Sequence, residues 1–260
     1  MCVPAVLLLI VTSFLSVTSS PITIPFGLSH GDTSAPTSSV DGNFNNIFPQ
    51  SFPFFGRRWD NLWVSTNGYV TFDTNFTVYS PTDFPLRFSN APPTICAYWA
   101  DVNTNNGGTV YYRQTTDKSV LDIITQEVRD SNCQNFWFDA GWAFVVTWNE
   151  VAFYGASTAG RERRNTFQLV LGLDKTENHS FIILNYDRLE WTTGTYTGGS
   201  SDTGLGGSPA LAGFDAGDRT NFYKLPGSKT GDVLLLNQTS NVGIAGKWIL
   251  KIDSVVEGEV

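Results

Sequence analysis

The 260-residue sequence predicts an all-β fold, a single antiparallel β-sandwich or barrel-like domain with long Gly/Ser/Thr-rich loops. Three observations lead there. Charged residues are 15% of the chain, against roughly 25% in an average soluble chain, so the Lys/Glu/Arg surface of a helical bundle is missing. The 24 Gly and 12 Pro supply turns, while 19 Phe, 9 Tyr and 8 Trp supply residues that suit pleated, half-buried surfaces. Short strand-like runs also recur between Gly, Pro and Asn punctuation, the pattern of a sandwich or barrel. No internal repeat or linker divides the chain. The expected organisation is a signal peptide over 1–19 and one β domain over 20–260.

The leading segment explains itself by composition. Val3 to Leu15 is almost wholly apolar, and the small polar residues Thr18, Ser19 and Ser20 follow. Such a run falls short of the ~20 residues that span a bilayer and reads as a cleaved secretory signal. No other stretch is apolar enough to anchor the chain, so a secreted product without a transmembrane anchor is expected. In an oxidising compartment the two remaining cysteines, Cys96 and Cys133, are most simply one disulfide. Three sequons at Asn75, Asn178 and Asn237 fit the same compartment, and at least two are expected to carry glycans.

Along the chain, Ser29 to Asn46 reads as loop, and Phe48 to Phe55 gathers aromatics around Pro49 and Pro53. Trp63 to Thr66 and Tyr69 to Phe72 flank Asn67 and Gly68, a strong hairpin signal. Ile95 to Ala100 reads as a buried strand, and Asn103 to Gly108 as a turn before the strand Thr109 to Arg113. Val120 to Arg129 fits a strand or a short helix equally. In Trp142 to Phe153, Trp142, Phe144, Val146 and Trp148 alternate onto one face, the clearest strand. Thr166 to Gly172, Ser180 to Tyr186, Asp232 to Leu236 and Lys247 to Ile252 complete the strands. Trp191 to Gly207, nearly all Thr, Gly, Ser and Asp, is a structured loop.

Charge and motifs exclude several functions. A net charge of −8, with no Lys/Arg run to offset it, repels a phosphate backbone, so no nucleic-acid partner is expected. His30 and His179 are the only histidines, and neither lies in a nucleophile motif. Ser208 lacks the second glycine of a nucleophile elbow, and Gly227 to Thr230 lacks the pattern of a phosphate loop. Asp101, Asn103 and Asn105 alternate like calcium ligands, yet Asn106 and Tyr112 occupy the places of the required Gly and Glu. Glu150 and Glu190 are the one pair to consider for glycoside hydrolysis. No catalytic residue, metal or cofactor is expected.

The motifs resemble the nidogen-type extracellular domain, NIDO, in order. Val64 to Phe72 (VSTNGYVTF) contains Asn67 and Gly68; Tyr98 to Val102 (YWADV) contains Trp99 and Asp101. Tyr111 to Arg113 follows, then Val146 to Gly155 (VTWNEVAFYG) with Trp148, Tyr154 and Gly155. Asn165 to Gln168, Asn185 with Tyr186, and Trp191 to Gly194 (WTTG) continue the series. Thr203 to Gly207 brings Gly204, Gly206 and Gly207; Ala212 to Phe214 brings Gly213 and Phe214. Asn221 with Phe222, Leu225 to Ser228 with Pro226 and Gly227, and Gly246 to Trp248 complete it. The wording resembles the alpha-tectorin form of that domain, and the match runs from about Phe26 to Asp253.

The resemblance implies an extracellular-matrix and cell–matrix adhesion module without enzymatic activity. Its partners would be matrix or cell-surface glycoproteins, or a second copy through self-association. A soluble lectin-like glycan binder is the alternative, with Trp191 and Tyr196 stacking on sugar faces beside Asp202.

Overall fold

The computed structural model describes residues 21–35, 41–88, 90–131 and 137–253. The expected signal peptide and Cys133 lie outside them.

Two six-stranded sheets, antiparallel at every pairing, face each other across one core. Twelve strands alternate between and within them: β1 (Thr33–Ser34), β2 (Asn43–Phe54), β3 (Arg57–Ser65), β4 (Tyr69–Phe72), β5 (Thr94–Trp99) and β6 (Thr109–Thr115) come first. β7 (Ala140–Val151), β8 (Asn165–Asp174), β9 (Ser180–Arg188), β10 (Leu211–Asp215), β11 (Phe222–Lys224) and β12 (Lys247–Lys251) follow. One sheet runs β1-β6-β7-β8-β9-β12 and the other β11-β10-β5-β4-β3-β2. The sandwich alternative is therefore the fold.

Alternation places the core. Trp142, Phe144, Val146 and Trp148 of β7 point inward with Phe167, Leu169 and Leu171 of β8, against Leu62, Val64, Val70 and Phe72 of the facing sheet. Trp148 stacks on Phe167 with ring centroids 5.1 Å apart, and Phe54 stacks on Phe72 at 4.8 Å. Burial of each such side chain contributes roughly 1.5–3 kcal/mol before chain entropy is charged.

Both outer faces are also covered. On the first sheet lies the helix α1 (Lys118–Asp130), which settles the undecided segment. Asp117 caps it by accepting from Ser119 and Val120 N–H groups, and Val120, Leu121, Ile124 and Val128 form its buried stripe. That stripe meets Val145, Val170 and Phe181. On the second sheet, the segment between β4 and β5 lays Phe76, Val78, Phe84, Leu86 and Phe88 over Tyr69, Cys96 and Trp99.

The N-terminal segment crosses the first sheet's outer face as a strap. Gln168 Nε2 donates to Ile24 O at 2.9 Å and Gln168 Oε1 accepts from Ile24 N at 2.9 Å. Arg113 then fastens the following turn, pairing with Asp32 and donating to Pro25 O at 2.9 Å.

Three expectations are corrected. The loop reading of Ser29 to Asn46 misses β1 and the start of β2; β2 is an edge strand, where Pro and polar residues are tolerated. Asp232 to Leu236 is not a strand but part of a 3-10 helix over Gly231–Asn237. Its buried side chains, Val233 and Leu236, stand three apart, the spacing that aligns side chains in that helix. The β3–β4 hairpin closes through three residues, since Ser65 pairs with Tyr69.

Candidate site: a carboxylate and tyrosine pocket among the end loops

The hairpin turn explains how one end of the sandwich is built. Gly68 has φ 83°, and a Cβ there would stand 2.0 Å from Tyr98 O, so only glycine fits the turn against β5. That close approach puts Asn67 between three segments. Its Oδ1 accepts from Val102 N at 2.9 Å, its Nδ2 donates to Asp41 Oδ1 at 2.7 Å, and its carbonyl accepts from Ala100 N at 3.1 Å.

The loops after β5, β7 and β9 are zipped to one another by backbone bonds. Asn103 N donates to Ala152 O at 2.9 Å, Tyr154 N to Asp101 O at 2.8 Å, and Thr195 N to Tyr154 O at 3.0 Å. Gly155, at φ 74°, leaves room for Thr195, whose Oγ1 would lie 1.9 Å from an added Cβ. Asn165 reinforces the assembly from within: its Oδ1 accepts from Glu190 N and its Nδ2 donates to Trp191 O at 3.0 Å.

These ties converge on a pocket of about 240 Å³ lined by Asp41, Tyr79, Asp101, Tyr154 and Tyr196. Asp101 is only 3% exposed, whereas Tyr154 is 40% and Tyr196 70% exposed. Burial, aided by the charge of Asp41, pushes the Asp101 carboxyl up from 3.8 to about 7. Tyr79 meets Tyr196 edge to face at 5.1 Å, and their hydrogen bond pushes the Tyr79 phenol up to about 12.

Most of the expected motif residues are scaffold around this pocket rather than its lining. Trp99 donates through Nε1 to Val78 O at 2.9 Å, and Trp148 to Ser65 O at 3.1 Å. Gly204, Gly206 and Gly207 shape the loop after Trp191; Gly213 and Phe214 lie in β10, and Pro226 and Gly227 in the turn after β11. Trp248 sits in β12 at the core edge. Of that set, Asp101 and Tyr154 line the pocket. Asp41 and Tyr79 carry no sequence signal of their own, one lying in apparent loop and the other outside every motif.

The glycan-stacking role expected of Trp191 is corrected. It is fully buried, and its Nε1 donates to Val151 O at 3.0 Å, so its faces pack against Tyr98 and Phe153 instead of solvent. Asp202 bonds to Ser157.

Glu150 and Glu190 do come together, around Arg188. Its guanidinium lies 2.9 Å from Glu190 and 3.8 Å from Glu150. Burial opposes ionisation of Glu190, but hydrogen bonds from the Arg164 N–H and Arg188 outweigh it and hold its pKa below the usual range. An ionised carboxylate is no proton donor for a leaving group.

The calcium-like spacing is used internally: Asn103 Oδ1 accepts from Asn105 N at 3.0 Å and Asn106 Nδ2 donates to Phe153 O at 3.1 Å. Among the described residues, no group of three or more His, Cys, Asp or Glu side chains is arranged to hold a metal ion. Cys96 is fully buried under Phe84, Leu86 and Trp99 and makes no disulfide among the described residues; its expected partner, Cys133, lies outside them. Asn75 and Asn178 are exposed, whereas Asn237 is half-buried with its Oδ1 enclosed. Among the described residues no helix is long and apolar enough to cross a membrane.

The molecule is thus a two-sheet β-sandwich with a polar, aromatic-lined cavity among its end loops. The nidogen-like domain model matches residues 60–254, and the chain belongs to that family. Alpha-tectorin of Mus musculus is 39% identical over 84% of this chain and 10% of that protein. Nidogen of Drosophila melanogaster is 29% identical over 78% of this chain and 14% of that protein. Dendrite extension defective protein 1 of Caenorhabditis elegans is 29% identical over 88% and 18%. The chain thus spans about a tenth to a fifth of the length of these relatives. No solved structure matches it significantly.

Proposed function

We propose that the protein is a secreted, non-catalytic interaction module of the extracellular matrix that binds matrix or cell-surface glycoproteins. The observation that carries this reading is the nidogen-like match across 60–254, shared with the matrix proteins alpha-tectorin and nidogen. Two features support it. The end-loop pocket offers a recognition surface on a rigid frame, and the two carboxylates considered for hydrolysis share the single guanidinium of Arg188. Exposed sequons at Asn75 and Asn178 suit a secreted glycoprotein.

Secretion from animal cells followed by capture of partners from matrix extract tests the reading. Enrichment of matrix or membrane glycoproteins supports it; recovery of the chain alone contradicts it.

A further inference from the structure

Asp101 is a buried carboxylate that receives no hydrogen bond among the described residues, although it is 97% enclosed and faces the end-loop pocket. Its neighbour Asp41 is held by Asn67, and the remaining wall is three phenol rings. An isolated buried carboxylate costs the fold free energy unless an opposite charge or a donor reaches it. Among the described residues none supplies either to Asp101, so an incoming ligand gains by supplying both.

We propose that this pocket binds the cationic end of a lysine or arginine side chain presented by a partner polypeptide. Asp101 and Asp41 accept its N–H groups, while Tyr154 and Tyr196 offer ring faces that attract a cation. Two carboxylates in one small cavity repel each other, and a cation between them relieves that repulsion, which a neutral sugar leaves standing. A calcium ion is poorly served, since among the described residues no group of three or more His, Cys, Asp or Glu side chains is arranged to hold a metal. The proposal rests on the adhesion reading for the nature of the partner. The chemistry of the pocket is tested apart from it.

The test uses the whole secreted protein labelled with 13C-tyrosine and observed by NMR. The probes are the Nα-acetyl methylamides of lysine, arginine and norleucine, then calcium chloride and lactose. The lysine and arginine probes are expected to shift Tyr154 and Tyr196 saturably, with norleucine, calcium and lactose silent. Asp101→Asn should weaken the cationic probes at least tenfold, roughly the loss of a charged acceptor. Should that variant fail to fold, Tyr196→Ala, at an exposed position, is expected to weaken them roughly threefold. Equal shifts with norleucine, shifts with calcium or lactose alone, or no shift with any probe overturn the proposal. Probe binding in a protein that captures no matrix partner would leave the pocket standing and remove the adhesion reading.

Discussion

The Asp41 carboxylate accepts from Asn67 Nδ2 at 2.7 Å, so the turn between β3 and β4 positions one acid of the pocket. The same side chain accepts the buried Val102 N–H, next to the second acid, Asp101. One residue thereby ties Asp41 to the backbone that follows Asp101.

Replacing Asn67 with Ala removes the Asp41 bond and orphans the Val102 N–H. A loss of about 2–3 kcal/mol is expected in urea unfolding, because a buried donor left without a partner carries its full desolvation cost. A change below about 0.5 kcal/mol would mean that the turn is held by its backbone alone.

Asp101 makes stability depend on pH in a defined direction. Its carboxyl is raised from 3.8 to about 7, chiefly by burial and then by Asp41, so between those values the folded state keeps a proton that the unfolded chain has lost. Stability therefore falls as pH rises through this window, by about 4 kcal/mol at most, and the penalty is complete above it. Asp101→Asn removes the penalty. It is expected to match the parent near pH 4 and exceed it near pH 8 in thermal unfolding; equal stability at both would contradict the assignment.

Gln168 should control the N-terminal strap. Its amide also donates to Thr147 Oγ1 at 2.8 Å and accepts from Asn185 Nδ2 at 3.1 Å, so Gln168→Ala strands several buried groups at once. About 3 kcal/mol of destabilisation is expected, together with fast hydrogen exchange at the Ile24 amide. Protection of Ile24 unchanged in the variant would show that the strap is held elsewhere.

Cys96 should be invisible to an alkylating reagent in the native protein, because burial excludes the reagent and pushes the thiol pKa up. Unfolding in urea without reductant should expose it to quantitative modification, read by intact mass. Modification only after reduction would instead show that Cys96 is bridged to another cysteine.

Where the sequence was informative, local chemistry had one dominant demand. Trp142, Phe144, Val146 and Trp148 can share a face only in a strand, and the Asn67 and Gly68 pair could only be a turn. Asp232 to Leu236 misled because a short apolar run has no period that separates a strand from a helical turn. Asn43 to Phe54 misled because an edge strand needs neither continuous burial nor an N–H at every position. The pocket was least legible. Asp41, Tyr79, Asp101, Tyr154 and Tyr196 come from five loops and meet only through the strand order of two sheets. Its two motif members, Asp101 and Tyr154, were visible as wording, with no sign that they face one cavity.

The most direct measurement is partner capture from matrix extract with the parent protein and its Asp101→Asn and Tyr196→Ala variants side by side. The parent is expected to enrich matrix or cell-surface glycoproteins, and both variants to lose them while remaining folded and secreted. Recovery of the parent chain alone would contradict the account.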